Sequence, residues 1–265
     1  MTQHKCTEAS APPPLAEQLV ELSALTGGLA HEIRNPLSTL KVNLQLLDED
    51  WKKVETPRTG DALDPQEVAR RSRTRIGALL RETNRLEQIL QDFLQYVGKR
   101  DLRPAPHDLG EMMAELADFY RPQAQAGGIH LTLDRNDVPL WCNINPTYLK
   151  QAILNLLINA QQAMPDGGKL HLSVGPEGHD QARIDVTDTG PGVPPDIRDQ
   201  VFHAYFSTKK GGTGLGLATT QRIVREHRGT IRLAENPPGG ACFTILLPRI
   251  AAPDRADPPK EQPRG

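Results

Sequence analysis

Cysteine is scarce in this chain. Cys6, Cys142 and Cys242 are the only three, they stand far apart, and no Cys-x-x-Cys or Cys/His ligand spacing occurs. That excludes a disulfide framework and a zinc centre, and it fits a reducing compartment. Charge of one sign is also lacking: 31 Lys and Arg against 33 Asp and Glu leave a net charge of -2. There is no global basic signal for nucleic acid or an anionic membrane. No apolar run approaches the roughly 20 residues of a spanning helix, and the N-terminus lacks the apolar core of a signal peptide. The expectation is a cytoplasmic chain with no membrane span and no nucleic-acid partner. What is present suffices for a folded core: 265 residues, 37% hydrophobic, give room for two modest domains, with 23 prolines suited to irregular ends and connectors.

Residues 1–14 end in "SAPPP" and read as a disordered leader. From Leu15 the pattern becomes helical. Leu22, Leu25, Leu29, Ile33, Leu37, Leu40, Leu44, Leu47 and Trp51 step by three or four, the spacing of one helix face. The stretch "ETPRTGDALDP" breaks it, and Ile76, Leu79, Thr83, Leu86, Leu90, Phe93 and Val97 then follow near-heptad spacing. Two long helices with a stripe too long to bury alone form an antiparallel hairpin over residues 15–100. Paired with a second copy, it gives a four-helix bundle, so a homodimer is expected. "GKRDLRPAPHD" (98–108) reads as a linker. Beyond it, helical stretches mix with "IHLTLD", "LWCNI", "KLHLSV", "ARIDVTD", "TIRLAE" and "ACFTILLP", all with strand-like alternation. The expected fold is α+β: the hairpin, then a two-layer α/β sandwich over 101–248, with a disordered, Pro-rich tail at 249–265.

Three motifs occupy the second half. "NLLINAQQAM" sets Asn155 and Asn159 one turn apart on a helix, so both amides project from one face and can offer oxygens to a cation. Solvated asparagines are the bland alternative, but the apolar neighbours Leu154, Leu156, Leu157 and Ile158 make unpartnered amides expensive there. "DVTDTGPGV" ends a strand at Asp188 and runs into Gly190 and Gly192. The carboxylate can accept from an exocyclic amine, although the same letters spell an ordinary turn. "KKGGTGLGLATT" sets Gly211, Gly212, Gly214 and Gly216 before a helix, beside Lys209 and Lys210, a place for phosphates at free amides. It is not a Walker loop, and alone it reads equally as a flexible loop.

In this order the motifs resemble the ATP-binding domain of sensor histidine kinases, within the wider group of gyrase-like, Hsp90 and MutL ATPases. "NLLINA" resembles the N-box, "DTGPG" and "GTGLGL" the glycine boxes, and "VFHAYFSTK" the aromatic F-box. The resemblance implies ATP and Mg²⁺ as cofactors, with Asn159 the metal ligand and Asp188 the adenine reader. Asn155, Gly190, Gly192, Gly212, Thr213, Leu215, Gly214 and Gly216 then shape the nucleotide site, and Lys209 contacts phosphate. Gyrase-like hydrolases carry Glu where this chain has Asn155. An amide cannot act as a general base on water, which disfavours hydrolysis and suits transfer to a side chain.

The stretch Gly27–Leu40, "GGLAHEIRNPLSTL", matches the same family's phosphoacceptor box. At about 100° per residue, His31 falls roughly 180° from the apolar stripe, with Asn35 and Ser38 on its side. His31 is therefore no core residue; His4, His107 and His227 read as surface histidines. The resemblance makes His31 the phosphoacceptor, Glu32 its orienter or general base, and Asn35 a residue that positions water for dephosphorylating a response regulator. Pro36 removes the amide that would bond to the Glu32 carbonyl and favours a bend. The implied function is a sensor-type histidine kinase that autophosphorylates on His31 and passes the phosphoryl group to an aspartate of a response regulator receiver domain, with phosphatase action on that regulator as a second activity. A phosphatase-dominant partner and a catalytically silent dimeric scaffold are the alternatives. With about 14 residues before the hairpin, the input signal is expected to come from elsewhere than a sensor domain in this chain.

Overall fold

The computed structural model describes residues 15–55, 64–98, 100–209, 212–237 and 239–253, with side chains from residue 25 onward. Residues 1–14, 56–63, Lys99, Lys210, Gly211, Pro238 and 254–265 lie outside what it describes, as does the side chain of Leu22 in the stripe. The fold divides into two units between Leu94 and Gln95.

The first unit is the hairpin of α1 (Leu15–Glu55) and α2 (Pro65–Val97). α1 runs through Pro36 without a break in helical assignment. The Ser38 hydroxyl donates to the Arg34 carbonyl at 2.9 Å, and that of Thr39 to the Asn35 carbonyl at 3.3 Å. Two stripes share α2. Val68, Ser72 and Ile89 are buried, with Arg75, Leu79, Glu82, Leu86 and Phe93 half-buried between them. The steps are three and four, the seam of an antiparallel pair. Ile76, Leu80, Leu90 and Leu94 lie off that seam and are exposed, as are Leu37, Leu44 and Trp51 on α1. The sequence stripe mixed two faces: Leu79, Leu86 and Phe93 serve the hairpin, while Ile76 and Leu90 point away from it. Inside the seam, Arg75 donates to the buried Asp50 carboxylate.

The second unit begins within the last turn of α2, before residue 100, because Tyr96, Arg100 and Leu102 are bonded to it. Arg222 donates to the Tyr96 carbonyl, Arg100 pairs with Glu226 at 3.2 Å, and the Asn145 amide donates to the Leu102 carbonyl at 2.6 Å. Ala105–Asp108, read as linker, is a strand, β1, paired antiparallel with β3 (Trp141–Ile144) in a two-stranded sheet. Its last residue caps α3 (Leu109–Ala126): Asp108 Oδ1 accepts from the Gly110 amide at 2.9 Å and the Leu140 amide at 3.0 Å, a cap worth about 0.5–2 kcal/mol. Asn145 caps α4 (Pro146–Ala163), with Pro146 opening the helix. The main sheet has five strands in the order β2 (Ile129–Arg135), β4 (Gly168–Glu177), β5 (Gln181–Asp188), β7 (Ala241–Pro248), β6 (Thr230–Glu235). β2 and β4 are parallel and every other pairing is antiparallel.

Period-two burial explains the layers. Leu170, Leu172 and Val174, Ala182, Ile184 and Val186, and Phe243, Ile245 and Leu247 are buried against Met112, Met113, Leu116 and Tyr120 of α3 and Leu149, Ile153, Leu156 and Leu157 of α4. α5 (Gly216–Glu226) adds Val224. The other face is polar: Ser173, Arg183 and Thr244 all bond to Asp185. Ordered chain continues past the sheet. The Arg249 amide donates to the Asp180 carbonyl and that of Ile250 to the Trp141 carbonyl at 2.9 Å, so these residues, assigned to the tail from sequence, belong to the domain. His227 is buried and not a surface residue: Nε2 accepts from the Asn145 amide at 2.9 Å, and Nδ1 donates to the Ile223 carbonyl at 2.8 Å. It ties the end of α5 to the cap of α4. Cys142 is buried, and desolvation pushes its thiol up to about 12, which leaves it inert at neutral pH.

Candidate active site

The second unit gathers its polar residues where β5 ends and α4 and α5 lie side by side. Asp188 closes β5 and is 5% exposed. Its Oδ1 accepts from the Gly190 amide at 2.8 Å and the Ala241 amide at 3.2 Å, and its carbonyl accepts from Asn236 at 2.9 Å. Both described bonds to the carboxylate fall on Oδ1, so Oδ2 carries none among the described residues. Burial raises its pKa above the usual carboxylate range; the two amides and the Lys209 charge pull the other way. Gly192 has φ +74, and a Cβ there would lie 2.8 Å from the Gly240 carbonyl oxygen. The turn after Asp188 thus needs the glycine that the sequence places there.

Asn155 and Asn159 do share a face of α4, but they are used differently. The Asn155 amide donates to the Gly216 carbonyl at 3.2 Å, beside the Thr220 hydroxyl, which is 3.0 Å from the same carbonyl. It binds the first turn of α5 to α4. Asn159 Oδ1 instead accepts from the Lys209 ammonium at 3.1 Å, and Gln162 Oε1 accepts from the same ammonium at 2.7 Å. Burial lowers the Lys209 pKa, and the charge of Asp188 opposes that.

The second glycine box leads into α5. Gly214 has φ +67, and a Cβ would meet the backbone of Tyr205 and Phe206 within 2.7 Å. The F-box turn and the glycine box therefore lie back to back, with the Tyr205 amide bonded to the Gly214 carbonyl at 3.1 Å. Phe202 anchors that turn edge-on to Phe243, 6.3 Å between centroids. Leu215 is fully buried, with its amide 3.5 Å from the Thr213 hydroxyl, and no side chain caps α5. A Cβ on Gly216 would meet nothing within 4 Å. An uncapped helix N-terminus facing open space suits an anionic group. Asn236, Gly240, Ala241 and Gln162 were not singled out from sequence. A hairpin turn and a second amide carry little signal until the fold brings them to Asp188 and Lys209.

In the first unit, His31 and Asn35 are exposed on α1, as the helix angles predict, and Pro36 is buried. Glu32, beside His31, accepts from Arg85 of α2 at 3.3 Å, both side chains being partly buried. Arg85 is a further residue beside His31 and Glu32 that was not singled out from sequence.

The comparisons agree with this geometry. Residues 21–99 match the His Kinase A (phospho-acceptor) domain, and residues 144–251 match the family described as histidine kinase-, DNA gyrase B- and HSP90-like ATPase. The chain is 33% identical over 235 residues to sensor histidine kinase ZraS of Salmonella typhimurium, covering 89% of this chain and 47% of that protein. With the signal transduction histidine-protein kinase AtoS of Escherichia coli it shares 32% over 236 residues, 88% of this chain and 36% of the relative. The solved structure of ShkA in complex with AMPPNP is 25% identical with a TM-score of 0.58, over 87% of this chain and 46% of that one. An acceptor-helix domain followed by a gyrase-like nucleotide domain defines one class of protein. The chain belongs to the two-component sensor histidine kinases. It spans about half the length or less of the curated relatives it matches.

Proposed function

We propose that this chain is the kinase core of a two-component sensor: the first unit is the dimerisation and phosphoacceptor hairpin, and the second, running from Gln95 past the last strand, is the ATP-binding catalytic domain, with ATP as phosphoryl donor to His31 and a response regulator aspartate as the final acceptor. The observation that carries the reading is the conjunction of an exposed His31 on the matched acceptor helix with a strand-end Asp188 and an uncapped, glycine-lined α5 in the matched nucleotide domain.

Each residue then has a chemical task. Asp188 Oδ2 accepts from the exocyclic amine of the base, and the amides opening α5 hold phosphate oxygens. The oxygens of Asn159 and Gln162 suit Mg²⁺, a hard cation that takes few protein ligands, and the Lys209 ammonium seated between them shows that this point attracts positive charge. When bound, the metal neutralises phosphate charge, so catalysis rests on positioning and electrostatics. An imidazole nitrogen of His31 is the nucleophile. Glu32, oriented by Arg85, takes its proton. Asn155, an amide bonded within the protein, activates no water, which favours transfer over hydrolysis. Asn35, exposed beside His31, positions water for dephosphorylating the regulator. The apolar residues exposed on α1 and α2 form the homodimer face. The experiment is incubation with γ-labelled ATP and Mg²⁺: label on the wild-type chain and none on His31→Gln supports the reading, and label independent of His31 refutes it.

A further inference from the structure

Gln162 follows Asn159 by three positions on α4, so the two side chains stand on one face. Together they hold one cation. The Lys209 ammonium lies 2.7 Å from Gln162 Oε1, 3.1 Å from Asn159 Oδ1 and 3.5 Å from the Asn159 carbonyl oxygen. An ammonium has three donors, and here three oxygens surround it, none of them a carboxylate. A lysine with a free choice pairs with an acid, as Lys150 does with Glu115 and Lys52 with Asp48. Lys209 instead sits on neutral amide-type oxygens, the donor set that a hard metal ion also accepts.

We propose that Asn159 and Gln162 form a two-oxygen cation seat for which the Lys209 ammonium and the divalent ion of the nucleotide compete, making Gln162 a further residue of the metal site. The inference rests on the nucleotide-binding reading above. A tethered monocation and a divalent ion cannot share oxygens at these distances, so metal entry displaces Lys209 from the seat. Lys209 is held in a short turn, with its amide bonded to the Ser207 hydroxyl at 3.1 Å and its carbonyl accepting from the Gly212 amide at 3.3 Å. Displacement therefore swings only the side chain, and its charge then lies beside the incoming phosphates.

The test measures binding, not turnover. The dissociation constant of AMPPNP is measured on the full chain without metal and at saturating Mg²⁺, and the ratio of the two reports the coupling between metal and nucleotide. Gln162 is exposed, so its substitutions spare the core. Gln162→Leu lowers the ratio about tenfold, the usual loss when a group supporting a metal ligand is removed, whereas Gln162→Glu keeps or raises it. Lys209→Met weakens AMPPNP without metal yet raises the ratio about fivefold, because the competitor is gone. A Gln162→Leu ratio within about twofold of wild type, with wild-type binding intact, overturns the seat and leaves the nucleotide site standing. Failure of the wild-type chain to bind AMPPNP overturns both.

Discussion

Asp188 commits one carboxylate oxygen to two backbone amides, and on the proposed reading the other accepts from a ligand amine. Asp188→Asn preserves an acceptor for those amides but mismatches a ligand amine, so AMPPNP affinity falls by about 1–3 kcal/mol while the fold persists, as titration and circular dichroism together would show. Burial raises the folded-state pKa of Asp188, so between the ordinary carboxylate pKa and the raised value the folded chain holds a proton that the unfolded chain has lost. Stability from this group is therefore complete below the ordinary value and is lost as pH rises through the folded one. Thermal unfolding followed from about pH 4 to pH 7 should show that decline in wild type and lack it in Asp188→Asn. Arg85 acts through Glu32. Arg85→Leu lowers the autophosphorylation rate about tenfold with AMPPNP affinity unchanged, a split that a folding defect in the second unit would not produce. At this scale the sequence was most legible in backbone conformation, as at Gly214, where a positive φ calls for glycine; the exposure of His31 and the burial of Asp188 accord with the roles proposed for them. The sequence does not tell how Asn155 uses its amide; the packing of α4 on α5 gives its nitrogen the Gly216 carbonyl as a partner.

Elements were read well where periodicity was strong. α1, α2, α4 and the five long strands follow their burial period. β1 was not legible because "APHD" carries a proline and too few residues for alternation, and it becomes a strand through its partner: Ala105 pairs with Ile144 and Asp108 with Trp141. The stripe on α2 hid two faces, since it drew Leu79, Leu86 and Phe93 from the seam of three-four steps and Ile76 and Leu90 from a second, exposed row. The two faces behave differently under substitution. Ile89, 1% exposed in the seam, costs about 2–5 kcal/mol when cut to alanine, read by denaturant unfolding of the hairpin. Leu80→Glu with Leu94→Glu, both on exposed positions, leaves secondary structure intact but converts a dimer to a monomer in sedimentation.

At the scale of the molecule, two units answer to two matched domains, and each has its own site. Among the described residues, no helix is long and apolar enough to cross a membrane. The second unit has a core and a sheet of its own, and the residues of the proposed nucleotide site all lie within it, so a fragment covering 95–253 should fold and bind AMPPNP with the affinity of the full chain, measured by calorimetry, while accepting no label. The central claim joins the units in one reaction, and the most direct measurement is the position of the phosphoryl group. After brief incubation with γ-labelled ATP and Mg²⁺, peptide mapping under neutral conditions should place an acid-labile phosphoryl group on His31, absent from His31→Gln and reduced in Asp188→Asn at limiting ATP. Label on another residue, or label that survives His31→Gln, would contradict the account.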